Sequence, residues 1–335
     1  MPSLTLQNGV VFGYTDSGAL TESTSYKTLV FIHGHTFHNG VFQRLNPVAK
    51  SNGLRVIAVN RREYPGSSSF SDEELAKFAT GTDAERATLL EQQGRDLAMF
   101  LDGLITDHLP QTGGVALVGW GMGNLFLMPL VACISTLPEA TRKRLSSFVR
   151  SIIMMHAPSF AFALPTPSGK LIPPTDPKIP PEALGPALAK WVSGYFIHGD
   201  LSSHNVDNLT YHNYDPAKPS TVETLKPEEF LGMMDLAPGG KYDNIIGGPP
   251  FTAPLSKQTK KALFTKTVRD SWGSAHFWVV YGDAEPWNAI QAAWSLEDLA
   301  KESACEINFK VIKGINHFFV WENPEKALTE LKECI

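Results

Sequence analysis

The sequence predicts an α/β protein, with a mostly parallel, doubly wound sheet and an inserted lid. Two observations lead to this prediction. Short apolar runs typical of buried strands alternate with helical segments along most of the chain. The alternation stops between residues 157 and 267 and then resumes. We therefore expect a core formed by residues 1–156 and 268–335, and a cap, or lid, formed by residues 157–267.

The first elements predict an edge hairpin and a βαβ unit. The stretch 4–14 alternates enough to form a hairpin that turns at an Asn-Gly pair. Continuous apolar strands are expected at 28–32 and 55–60, with a helical segment at 41–51 between them. Two strands joined by a crossover helix are normally parallel, which indicates a parallel sheet.

The later elements keep the same alternation. In chain order we expect a helix at 83–108, a strand at 114–118, a helix at 125–137, a strand at 151–155 and, after the lid, a strand at 277–281, a helix at 286–304, a strand at 307–312 and a closing helix at 324–334.

The stretch 157–267 is rich in proline but also carries many large apolar side chains. They are Trp191, Tyr195, Phe196, Tyr211, Tyr214, Phe230, Met233, Met234 and Phe251. A disordered linker would hold few such groups. The composition predicts either a lid over a pocket or a small helical subdomain that uses these residues as its own core.

Composition limits the partners. The 335-residue chain has a formal net charge of -5, which argues against a nucleic-acid or anionic-membrane surface. We expect instead a small, mostly apolar partner. No apolar run reaches the ~18 residues of a membrane span, so we expect a cytoplasmic protein. Cys133, Cys305 and Cys334 are too few and too scattered for a disulfide framework or a zinc site.

The most informative motif is Gly119-Trp120-Gly121-Met122-Gly123, between an apolar strand and a helix. It matches the G-x-S-x-G elbow, in which a sharp turn exposes a nucleophilic serine, except that a glycine occupies the serine position. An alternative is a flexible glycine turn or a poor dinucleotide fingerprint, but the G-x-G-x-x-G spacing is absent.

Acyl transfer also needs a general base and a carboxylate that orients it, and candidates for both lie after late strands. His317 follows the strand at 307–312, so a loop could bring it to the elbow as a general base. The strand at 277–281 is followed by Asp283 and Glu285. We expect Glu285 to orient the base and Asp283, the second choice, to cap a turn.

The remaining site predictions lie near the elbow. The backbone amide of Met122 and that of His35 or Thr36 are expected to form an oxyanion hole. Thr36, Phe37 and Trp120 are expected beside the substrate.

Neither a metal nor a charged substrate is predicted. His33 and His35 lack a third ligand at metal-binding spacing, so we expect no metal and no cofactor. Arg61 and Arg62 lie near the expected pocket, but we expect them to pair with surface carboxylates.

These features together resemble the α/β-hydrolase superfamily, in its branch of cap-bearing esterases, lipases, epoxide hydrolases and peptidases. The resemblance rests on His33-Gly34-His35, the loop at 60–68, the elbow, Gly282-x-x-Glu285 and His317. It implies the α/β-hydrolase fold and a catalytic triad in the order elbow, acid, histidine. The elbow is similar to the G-W-S-M-G elbow of esterases, which implies that serine is the missing residue.

Two hypotheses explain Gly121. In the first, the chain is a serine hydrolase, acting on an ester or lactone or else on an amide, that has been altered so that it binds without turnover. In the second, the glycine is natural, and the protein either binds a ligand or uses His317 and Glu285 for proton transfer as a lyase or cyclase.

Overall fold

The computed structural model describes residues 1–21, 23, 25–110 and 112–335. Its strands are β1 (Ser3–Thr5), β2 (Val11–Asp16), β3 (Ser25–Ile32), β4 (Leu54–Val59), β5 (Thr112–Trp120), β6 (Val149–Met155), β7 (His276–Gly282) and β8 (Asn308–Ile312). They form one sheet in the order β1-β2-β4-β3-β5-β6-β7-β8.

The sheet is parallel except at one edge. Strands β3 to β8 pair in parallel, whereas β1 and β2 form an antiparallel hairpin whose second strand pairs antiparallel with β4. The later parts of β3 and β5, from Leu29 and from Val115 onward, are apolar and buried because helices cover both faces of the sheet. The predicted mostly parallel, doubly wound sheet is confirmed.

The α-helices are α1 (Asn46–Ala49), α2 (Asp72–Thr80), α3 (Asp83–Asp107), α4 (Gly123–Ala132), α5 (Glu139–Phe148), α6 (Leu184–Val192), α7 (Thr221–Thr224), α8 (Pro227–Met233), α9 (Asn244–Ile246), α10 (Thr252–Phe264), α11 (Lys266–Asp270), α12 (Trp287–Glu302), α13 (Phe319–Glu322) and α14 (Pro324–Lys332). A π-helical turn, Gly239–Asp243, leads into α9. Short 3-10 turns lie at Asn39–Leu45, Ile134–Thr136, Ser159–Phe162, Pro173–Thr175, Pro181–Ala183, Leu201–Ser203, Val206–Asn208 and Pro249–Phe251.

Helices α2 and α5 are among those that the apolar pattern did not predict. Helix α2 begins with a capping box, in which the Ser71 side chain accepts from the Glu74 amide and the Glu74 carboxylate accepts from the Ser71 amide. Such local signals set where a helix begins, even in a helix such as α2 in which Phe78 alone is buried.

The segment between β6 and β7 has two parts. Residues 157–251 lie over the carboxyl edge of the sheet, while α10 packs on α3 and α4 beside the sheet. The expected lid, 157–267, included α10. We propose that the lid ends near residue 251 and that α10 belongs to the core.

Within the described ranges, we find no helix that combines the length and apolar character required to cross a membrane.

Candidate active site

A cavity of about 1090 Å³ opens at the carboxyl ends of the parallel strands, beneath residues 157–251. Ligands bind at this edge in open α/β sheets because the loops after several strands meet there. Many of the lining side chains are apolar, among them Phe37, Phe160, Leu188, Trp191, Phe230 and Met234.

The predicted elbow has the strand-turn-helix geometry of its motif. Gly121 stands between β5 and α4 with φ +56°, a left-handed conformation that favours glycine. The flanking glycines are required by close contacts. A Cβ on Gly123 would lie 2.1 Å from the carbonyl oxygen of Ile32, and one on Gly119 would lie 2.7 Å from Asn124 Oδ1.

The structure brings His317 to the elbow. A Cβ on Gly121 would lie 2.9 Å from His317 Nε2, so the imidazole faces the place where a side chain would begin. Trp120 holds this loop, since its indole N–H donates to the His317 carbonyl oxygen at 3.1 Å and its ring lies 4.7 Å from the imidazole. Burial lowers the pKa of His317, and the neighbouring Glu285 only partly offsets this effect.

Glu285 lies on the far side of His317 and is fully buried. Its Oε2 is 3.5 Å from His317 Nδ1, and its Oε1 accepts from the backbone N–H of Gly282. Burial alone would raise the pKa of Glu285, but the two neighbouring histidines outweigh it and lower the pKa to about 2. Asp283, the second choice, instead accepts from the Gly314 N–H at 2.6 Å and holds a turn.

A second histidine, His156, also contacts Glu285 and was missed by the sequence analysis. It directly follows β6 with φ +53°, and its Nδ1 is hydrogen-bonded to Glu285 Oε1. Its Nε2 is buried without a partner among the described residues. A polar residue at the end of a parallel strand is the signal that could have found it, because such ends meet at the cavity.

The site also contains potential metal ligands. Among the described residues, His156, Glu285 and His317 form the one cluster with ligand atoms within 4.8 Å of one another. Hydrogen bonds from Gly282 and His156 satisfy one carboxylate oxygen without a cation. His33 lies outside this cluster, with its ring nitrogens bonded to the Gly34 carbonyl and the Arg61 amide.

The loop after β3 lies against the elbow. A Cβ on Gly34 would lie 3.2 Å from the Met122 backbone nitrogen. The Thr36 N–H donates to the Tyr64 hydroxyl at 3.0 Å, whereas the N–H groups of His35 and Met122 have no acceptor in the described part of the chain. The geometry therefore favours His35 over Thr36 as a donor into the cavity.

The comparisons identify the family. Residues 29–331 match the model of the alpha/beta hydrolase family. The chain belongs to this family. The predicted resemblance and fold are thus confirmed. Among curated proteins, none matches this chain significantly.

Two solved structures are similar to this chain. A bromoperoxidase from Bacillus anthracis is 15% identical, with 99% of each chain covered and a TM-score of 0.52. An epoxide hydrolase from Mycobacterium thermoresistibile is 16% identical, with 100% of this chain and 97% of that one covered and a TM-score of 0.48. At this identity the first match shows the fold alone.

One expectation about the arginines was wrong. Arg61 does not pair with a surface carboxylate but forms a buried ion pair with Asp243, at 2.8 and 2.9 Å. Arg61 also donates to the Gly34 carbonyl at 2.8 Å, and the Tyr64 hydroxyl donates to Asp243 at 2.6 Å. Attraction by Arg61 lowers the pKa of Asp243 although burial opposes it. This network joins the lid to the loop after β3, whereas Arg62 pairs with the more exposed Glu74.

Proposed function

We propose that this alpha/beta hydrolase carries the site of a serine hydrolase for an ester or lactone, or an amide, of a mostly apolar small molecule, with its nucleophile position occupied by Gly121. The observation that carries the proposal is the position of His317 Nε2, 2.9 Å from where a Cβ at residue 121 would lie. A general base aimed at a residue with no side chain implies a nucleophile that is missing.

The surrounding groups fit the same chemistry. A serine at residue 121 would pass its proton to His317 Nε2 as it attacked the carbonyl carbon, and Glu285 would stabilise the resulting imidazolium. The amides of Met122 and His35 would donate to the developing oxyanion. The imidazolium would then protonate the leaving group, and water would release the acyl group by the reverse steps.

The glycine removes the first of these steps. Glycine offers no atom that can attack a carbonyl, so turnover should be lower by several orders of magnitude while binding survives. The apolar lining of the cavity supports a mostly apolar ligand.

A natural glycine is the second candidate, and one contact favours it. A Cβ at 2.9 Å from His317 Nε2 is closer than ordinary packing allows, so a serine would displace the imidazole by a few tenths of an ångström. Such a protein would bind a ligand, or use His317 and Glu285 for proton transfer in a lyase or cyclase reaction.

Gly121→Ser tests the proposal, with p-nitrophenyl butyrate as the substrate. We expect hydrolysis to increase about a thousandfold or more, because the nucleophile is restored to a complete site. Gly121→Ala is the matched control, since it adds the same strain and crowding without a hydroxyl. Adding His317→Ala to Gly121→Ser should remove the gain.

If Gly121→Ser stays as inactive as Gly121→Ala on a panel of esters, lactones and amides, the serine-hydrolase proposal is wrong. The small molecules that copurify with the unaltered chain, identified by mass spectrometry, would then define the ligand.

A further inference from the structure

We propose that Thr36, His35 and Asn244 form a second nucleophile-base site on the same cavity, in which the Thr36 hydroxyl attacks an ester. This proposal goes beyond the function proposed above, because it does not use residue 121 or His317.

The hydrogen bonds connect the three side chains in series. Thr36 Oγ1 lies 2.7 Å from His35 Nδ1, and His35 Nε2 lies 2.8 Å from Asn244 Oδ1. All three residues line the cavity, and His35 and Thr36 are only partly buried. A hydroxyl, an imidazole and a group that orients the imidazole are the parts of an activated nucleophile.

The amide of Asn244 sets the tautomer of His35. An amide oxygen only accepts hydrogen bonds, so His35 Nε2 must carry the proton that it shares with Asn244 Oδ1. Nδ1 of the neutral ring is then free of hydrogen and accepts from Thr36 Oγ1. The base is thus aimed at the threonine proton in the state that removes it.

Thr36 is held in an uncommon conformation. Its φ is +65°, which is strained for a β-branched residue. The structure holds it from both sides, since its N–H donates to the Tyr64 hydroxyl at 3.0 Å and its carbonyl oxygen accepts from the Asp235 N–H at 2.9 Å. Strain that the surroundings maintain in this way is concentrated at functional sites.

The lid completes the site. Asp235 and Asn244 both belong to the segment over the sheet edge, while His35 and Thr36 follow β3. We therefore expect the series of hydrogen bonds to exist only when the lid lies over the cavity.

The reaction balances as an ester hydrolysis. Thr36 Oγ1 forms a bond to the carbonyl carbon and its proton moves to His35 Nδ1. That proton then passes to the leaving alcohol as the ester C–O bond breaks, which leaves an acyl group on Thr36. Water attacks the acyl-threonine, its proton returns through His35 Nδ1 to Thr36 Oγ1, and a carboxylic acid is released.

The test uses the chain with Gly121 unchanged and p-nitrophenyl butyrate. After an acid quench, mass spectrometry of the digested protein should find one butyryl group on the peptide that contains Thr36. Thr36→Val keeps the β-branched shape and should remove this label and about nine-tenths or more of the p-nitrophenol release. Thr36→Ser should keep both, and Asn244→Ala should reduce both.

Thr80→Val is the matched control, because it makes the same change at an exposed position of α2, and it should leave label and rate unchanged. An unlabelled Thr36 peptide, or a rate that Thr36→Val leaves intact, would overturn the proposal. If Thr36→Val does not fold, the labelled position in the unaltered chain and in Thr36→Ser decides. Gly121→Ser tests the other site, so the two proposals can fail independently.

Discussion

Two histidines that line the cavity differ in what holds them and in what they face, and the cavity surface around each histidine is called its wall below. His317 is buried, lies 3.5 Å from a carboxylate and faces Gly121. His35 is partly exposed, is bonded to an amide and faces a threonine hydroxyl. The wall with His317 has a carboxylate beside its imidazole but lacks a nucleophile. The wall with His35 has a nucleophile, but only an amide orients its imidazole.

This difference distinguishes two roles of the group beside a histidine: orienting the imidazole and stabilising its positive charge. Both Glu285 and Asn244 can orient an imidazole, but only a carboxylate also stabilises the imidazolium that forms when the base takes a proton. We therefore infer that the wall with His317 would be far more active once a nucleophile is present there. Mutations on each wall test this inference.

The largest effect is expected at Glu285 in the Gly121→Ser background. Glu285→Gln removes the charge but keeps the shape, so ester hydrolysis should fall about a hundredfold or more. Kinetics with p-nitrophenyl butyrate measure it. Asp283→Asn is the matched control and should change the rate little, because Asp283 holds the turn at Gly314. The reverse result would make Asp283 the acid.

The next effect concerns the ion pair between lid and core. Arg61→Met leaves Asp243 buried and uncompensated, so the free energy of unfolding should fall by about 3–5 kcal/mol in denaturant titrations. Arg44→Met is the control, since Arg44 also joins core to lid through Glu229 but has a side chain 42% exposed. Its loss should cost at most about 1 kcal/mol. Equal losses would mean that burial of the Arg61 pair does not matter.

The sheet and the elbow could be predicted because their signals are local. The runs that became β3 to β8 are short and apolar with helices between them, and the elbow glycines are required by contacts near the turn. The positions of Glu285 and His317 follow from the same logic, since each comes directly after a parallel strand.

The pairs that join lid to core could not be predicted. Arg61 and Asp243 are 182 positions apart, and His35 and Asn244 are 209 apart. Asp243 and Asn244 lie on a π-helical turn and a three-residue helix, where no regular period indicates which side chain points inward. His156 is a different case, because its position after β6 was visible but no motif assigned it a role.

A smaller effect is expected at Tyr64, whose hydroxyl supports the threonine wall. Tyr64→Phe leaves the Thr36 N–H without its acceptor and Asp243 without one donor, so the free energy of unfolding should fall by about 1–3 kcal/mol, and the label on Thr36 should decrease. Tyr14→Phe is the control, since the Tyr14 hydroxyl has no hydrogen-bond partner among the described residues. If Tyr64→Phe behaves like Tyr14→Phe, Thr36 is not held by this contact.

The smallest effect is a shift in pH dependence. In Gly121→Ser, His317 must be neutral to accept the serine proton, and burial lowers the pKa of His317 below its ordinary value of 6.5. Hydrolysis should therefore stay constant as the pH falls through 6.5 and then decrease about tenfold per pH unit below the lowered pKa. Stability should change in the same direction. Because the pKa values of both His317 and Glu285 are lowered on folding, the unfolded chain binds more protons, and the free energy of unfolding should fall as the pH drops below 6.5 and again below 4.5. A rate that already halves above pH 6.5 would mean that attraction to Glu285 outweighs burial at His317, so that the carboxylate and not the loss of water sets the pKa of this base.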